Sequence, residues 1–129
     1  MKIRFLSLGV SLALLSLVIS AVAADPSAGR PRLVDLGADK CIPCKLMKPV
    51  LDELTKDYAS QLDVVFIDVW KNRDEGKRYG VRMIPTLIFY DATGAERFRH
   101  EGFMAKKEIL AKWRELGVNL KEATSADGK

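Results

Sequence analysis

The chain is poor in the residues that build metal sites and stapled scaffolds. It holds two cysteines and one histidine in 129 residues. A structural zinc site ordinarily takes four cysteine or histidine ligands. With His100 the only nitrogen donor of that kind, a zinc centre is set aside. The cysteines, Cys41 and Cys44, stand three apart. A bridge closing so small a loop restricts the unfolded chain little and makes a poor staple, and a domain of this size holds a core without one. Blocks of like charge are lacking too. The formal charge is +4, the basic residues are scattered, and the balance falls to +2 if Lys2 and Arg4 leave with a leader. That excludes a nucleic-acid surface built on charge. Internal repeats are absent, which excludes a solenoid. Only one long apolar run occurs, so a second membrane span is excluded.

That run covers residues 5–19, behind the basic Lys2 and Arg4, and is broken only by small residues. Ala21-Val22-Ala23 then offers the small-x-small pattern that signal peptidase accepts. The expectation is a signal peptide over residues 1–23 and export, to the periplasm or another oxidising compartment. An uncleaved N-terminal anchor is the alternative. Residues 24–31 (ADPSAGRP) read as a flexible lead-in, residues 32–117 as one domain, and residues 118–129 as a tail. With 48% apolar and 29% charged residues, the composition is that of a soluble globular protein.

Within the domain the pattern predicts a short strand over 32–36 and a helix from the cysteines to about Tyr58. Leu46, Met47, Val50, Leu51 and Leu54 should form the helix's buried face, and Pro49 should kink it. The run VVFIDV at 64–69 fits a strand buried on both faces. A short helix follows over 72–79, capped by Gly80. TLIFY at 86–90 is a second buried strand. A turn at 91–94 leads to an outer hairpin strand over 97–101. An amphipathic helix over 105–116, with Ile109, Leu110 and Trp113 inward, ends at Gly117.

Cys41-Ile42-Pro43-Cys44 carries the chemistry. A dithiol exchanger needs one exposed, partly ionised thiol that attacks and a second that resolves. A helix N-terminus favours the thiolate through its free N–H groups and its dipole. Cys41, at the first position of the predicted helix, is assigned the attack, and Cys44, one turn inward, the resolution. Pro43 suits a first turn because its missing N–H costs little there. Lys40 and Lys45 add positive charge beside Cys41.

Across residues 32–116 the sequence resembles the thioredoxin family. Val34-Asp35 precedes the Cys-x-x-Cys at the family's distance, Lys45 and Pro49 follow it, and Tyr79-Gly80-Val81 leads into Ile84-Pro85-Thr86, which is similar to the family's cis-proline loop. The resemblance implies a three-layer α/β/α sandwich with a mixed sheet. Only about eleven mature residues precede Asp35, too few for the family's first strand and helix. Four strands in the order 2-1-3-4 are therefore expected. It also implies that Pro85 is cis and that Asp35 is a buried carboxylate beneath Cys44 that takes its proton. Ile84, Pro85, Thr86, Lys40, Ile42, Pro43 and Trp70 would line the substrate surface. Three positions depart from the family: Lys40 replaces a tryptophan, Ile42 a glycine, and Phe66 a lysine that pairs with the buried aspartate. One compensation is expected, a cation–π contact between Lys40 and Trp70.

The resulting expectation is an exported protein-disulfide oxidoreductase, monomeric, whose redox group is the Cys41–Cys44 pair with no further cofactor. Proline rather than histidine before Cys44 points to a reductant. A reductant in an oxidising compartment needs a membrane thiol-transfer partner as electron donor, and its clients are proteins with disulfides. The competing readings are a disulfide oxidase or isomerase, and a peptide-binding chaperone or assembly module in which the cysteines are secondary.

Overall fold

The computed structural model describes residues 29–122. The leader, most of the lead-in and the end of the tail lie outside the described residues. Seven elements follow in the order β1 (Arg32–Gly37), α1 (Ile42–Asp57), β2 (Asp63–Asp68), α2 (Arg73–Arg78), β3 (Thr86–Tyr90), β4 (Glu96–Glu101) and α3 (Lys106–Glu115). They form one four-stranded sheet in the order β2-β1-β3-β4, as expected. β1 runs parallel to β2, with Asp35 opposite Phe66, and antiparallel to β3, with Asp35 opposite Leu87. β3 and β4 form an antiparallel hairpin. Its turn is held by Asp91, whose side chain accepts the N–H groups of Thr93 and Ala95.

Side chains alternate across β1, and this sorts the core into two halves. On one face Leu33, Leu87 and Phe89 pack with Met47, Leu51 and Leu54 of α1 and with Ile109 and Trp113 of α3. The Phe89 and Trp113 rings lie 4.9 Å apart. On the other face Val34, Leu36 and Ile88 pack against Val69, Tyr79, Val81 and Ile84, the segments flanking α2. α2 itself buries no residue. It ends at Tyr79, and Gly80 takes φ +63° to release the chain, a conformation in which any side chain is strained.

Two expectations about burial fail. Leu46 is 58% exposed. The buried residues of α1 are Cys44, Met47, Leu51 and Leu54, a stripe spaced three, four and three apart. Leu46 lies about 100° round the helix from Met47, outside that stripe. β2, expected to be buried on both faces, is an edge strand, and its Phe66 is 44% exposed. No strand pairs with its outer side among the described residues; Val64 packs against the core on the α1 face and Val65 and Ile67 against the core on the other, while Phe66 stays partly in solvent.

Candidate active site

Cys41 is the N-cap of α1, with extended backbone, and its Sγ accepts the Cys44 N–H at 3.4 Å. Pro43 sits in the first turn, where helix geometry asks nothing of its nitrogen. The two cysteines form a disulfide with Cα atoms 5.2 Å apart. Cys41 is 8% and Cys44 4% exposed, and both pack against Ala38 and Ile84. Ile42 and Pro43 project into solvent between them.

The loop before β3 closes over this pair. The Ile84–Pro85 peptide is cis. The Pro85 carbonyl accepts the Gly102 N–H at 2.7 Å, while Ile84 takes no part in the strand ladders or the turn bonds. Thr86, assigned by the sequence to the substrate surface, is only 1% exposed. Its hydroxyl donates to the Met83 carbonyl at 2.6 Å, so it braces the loop from inside. Met83 and Phe103 flank the loop instead, 52% and 45% exposed. Neither was singled out from the sequence. An apolar residue beside a proline or glycine loop carries no signal of exposure.

Asp35 lies wholly buried on the α1 side of β1, and neither carboxylate oxygen has a hydrogen-bond partner. Burial pushes its pKa from 3.8 up to about 7. It shares a cleft of about 250 Å³ with Cys44, Ala38, Leu51 and Phe66, and Lys45, Lys48, Asp39 and Asp52 also line it. Gly37 explains how Cys44 and Phe66 come so close to β1. A Cβ there would stand 3.1 Å from the Phe66 ring and 3.3 Å from Cys44 Sγ, so any larger residue would push on both side chains by a few tenths of an ångström.

No cation–π contact joins Lys40 to Trp70 among the described residues. The cation–π contacts among the described residues join Arg32 to Tyr90, Arg78 to Tyr79, Lys106 to Tyr58 and Lys112 to Phe98. Trp70 is 55% exposed. The turn before Cys41 is tied to the end of β2 by another residue, Asp68. Its carboxylate accepts the backbone N–H groups of Lys71, Asp39 and Trp70. Those of Lys71 and Asp39 do most to hold its pKa below the usual carboxylate value. An aspartate closing a strand is a turn signal, but nothing in the sequence shows that it reaches a second loop.

A disulfide-bonded cysteine pair at a helix N-terminus, beside a cis-proline loop that leads into a central strand of a mixed sheet, defines a thiol–disulfide exchanger. Comparison with known proteins gives the family. The thioredoxin family model matches residues 21–115. A thioredoxin of Pseudomonas aeruginosa is 39% identical over 84 residues, 65% of this chain and 77% of that one. A thioredoxin of Acidithiobacillus ferridurans is 33% identical over the same length and coverage. Among solved structures, the germline-specific thioredoxin Deadhead of Drosophila melanogaster superposes with a TM-score of 0.62 at 27% identity, covering 70% of this chain and 84% of that one. The chain belongs to the thioredoxin family and is a thiol–disulfide oxidoreductase whose redox group is the cysteine pair itself.

Proposed function

We propose that the protein is exported and reduces the disulfides of client proteins, with Cys41 attacking and Cys44 resolving. The observation that carries this reading is the aim of the Cys44 N–H at Cys41 Sγ, at the N-terminus of a 16-residue helix. A thiolate at Cys41 keeps that bond and the helix dipole, so it forms more readily than one inside the fold.

The Cys41 thiolate attacks one sulfur of a client disulfide, forming a mixed disulfide and releasing a client thiolate that takes a proton. Cys44 passes its proton to the Asp35 carboxylate, which lines the same cleft. The Cys44 thiolate attacks Cys41 Sγ, and the second client thiolate leaves. Two electrons pass to the client, and the protein is left with the Cys41–Cys44 bond. A membrane thiol-transfer protein restores the dithiol. Ile84, outside the strand ladders, offers its backbone to an extended client segment, with Ile42, Met83 and Phe103 as apolar contacts.

The reduction potential of the pair tests the direction. A value near −270 mV is expected for a reductant, whereas one near −120 mV makes the protein an oxidant. Export rests on Lys2, Arg4, the apolar run at 5–19 and Ala21-Val22-Ala23. N-terminal sequencing of protein recovered from the periplasm should begin at Ala24. Recovery only from the cytoplasm with Met1 intact would refute export.

A further inference from the structure

Asp68 divides its two carboxylate oxygens between two tasks. Oδ1 accepts the N–H groups of Trp70 at 2.9 Å and Lys71 at 3.0 Å, which folds its own turn. Oδ2 accepts the N–H of Asp39 at 3.1 Å, a residue 29 positions earlier. Asp39 lies in the turn that delivers Cys41 to its N-cap position. That turn is otherwise held by the Cys41 N–H on the Ala38 carbonyl at 3.1 Å and by the Val69 N–H on the Gly37 carbonyl at 2.9 Å. The Asp68 carboxylate is 9% exposed. Lys71 pairs with the Asp39 carboxylate, and its Nζ stands 3.8 Å from Asp68 Oδ2.

We propose that Asp68 is a positioning residue for Cys41: by holding the Asp39 N–H it fixes the turn that aims the Cys41 sulfur at the N-terminus of α1. The stabilisation of a thiolate by a helix end falls off within the first turn, so a small displacement of the sulfur weakens it. A nearby carboxylate acting through charge alone would do the opposite and disfavour the thiolate. Lys71 offsets that charge. The geometric and electrostatic roles therefore predict shifts of opposite sign.

Asp68→Asn separates them. The asparagine carbonyl can still accept from Trp70 and Lys71, but its amide nitrogen offers no acceptor to Asp39. The reduced full-length protein is alkylated with iodoacetamide across a pH series, and mass spectrometry assigns each cysteine. Cys41 alkylation near neutral pH is expected to fall about threefold or more as its thiol pKa rises. The Asp39 amide should lose hydrogen-exchange protection while those of Trp70 and Lys71 keep theirs. Asp39→Asn, which removes a carboxylate from the turn and leaves the Asp39 N–H in place, should not slow Cys41. If Asp68→Asn does not fold, Asp68→Ser serves, since its hydroxyl caps its own turn but falls short of Asp39. Unchanged or faster Cys41 alkylation in the folded variant overturns the proposal. The proposal rests on reading Cys41 as the attacking thiol. A wild-type protein whose Cys44 is alkylated faster than Cys41 overturns both readings, while a fast Cys41 indifferent to Asp68 overturns this one alone.

Discussion

Cys44→Ser is expected to arrest the cycle as a covalent complex, and Cys41→Ser to abolish it without trapping anything. The asymmetry follows from the first turn of α1. Cys41 is the N-cap and receives the Cys44 N–H; Cys44 lies inside the helix, 4% exposed and beside Asp35 in the α1–β2 cleft. Without Cys44 the mixed disulfide on Cys41 has no resolving thiol, and it survives non-reducing electrophoresis. Without Cys41 the remaining thiol has neither the helix N-terminus nor access to a client. Turnover of a model protein disulfide should fall by at least about a thousandfold in either variant, since each removes a member of a unit that acts together. The same pair of variants separates the enzyme from a peptide-binding module. Ile42, Met83 and Phe103 offer an apolar surface that a binding module would also use. If Cys41→Ser keeps both client affinity and the cellular phenotype, the redox chemistry is secondary and the enzymatic reading fails.

Much of this site could be read in the sequence because the motifs are local. Cys41 to Cys44 spans one helical turn, and Pro43 is favoured at the start of a helix, where its missing N–H costs nothing. Ile84-Pro85-Thr86 stands directly before an apolar, β-branched run, and that run is β3 at the predicted bounds. The sheet order followed from the family resemblance rather than from the strands themselves, and the observed order β2-β1-β3-β4 agrees with it. What sequence could not supply was exposure. Leu46 and Met47 are adjacent apolar residues on a helix, and periodicity alone does not choose between them. The partner surface does, and it takes Met47. Phe66 sits in an apolar run that looks like a central strand, yet among the described residues β2 has no strand paired with its outer side, and Phe66 is 44% exposed. The Asp68 clasp is invisible for the same reason. Its informative bond joins residues 29 apart, and it ends on a backbone N–H, which every residue but proline carries. The Lys40–Trp70 contact, inferred from two matched departures from the family, is not among the cation–π contacts of the described residues. The turn is held at Asp39 instead.

Asp35 gives the largest pH-dependent effect. Its folded-state pKa of about 7 lies above its unfolded value of 3.8, so the native state retains the proton longer than the unfolded chain does. Stability therefore declines as pH rises through the window between those two values. Below the window both states are protonated and nothing is lost; above it both are ionised and the full penalty applies. The slope inside the window is negative, near 1.4 kcal/mol per pH unit, and the whole penalty is about 4 kcal/mol. The cause is burial without a partner. Neither oxygen of Asp35 is hydrogen-bonded, Phe66 rather than a cation lies opposite it in the register, and the nearest charges in its cleft are of mixed sign: Lys45, Lys48, Asp39 and Asp52. Asp35→Asn removes the titration while keeping the shape. Urea unfolding of the oxidised proteins should show the variant gaining on the wild type as pH rises from about 4 to 8, with the gain levelling off above about 7. In the reduced proteins, release of the mixed disulfide by Cys44 should slow in the variant near neutral pH, because no carboxylate remains to take the Cys44 proton. A stability difference that stays constant with pH would mean that the Asp35 carboxyl ionises as an ordinary aspartate. Its burial would then carry no redox consequence, and Cys44 would have to lose its proton to solvent.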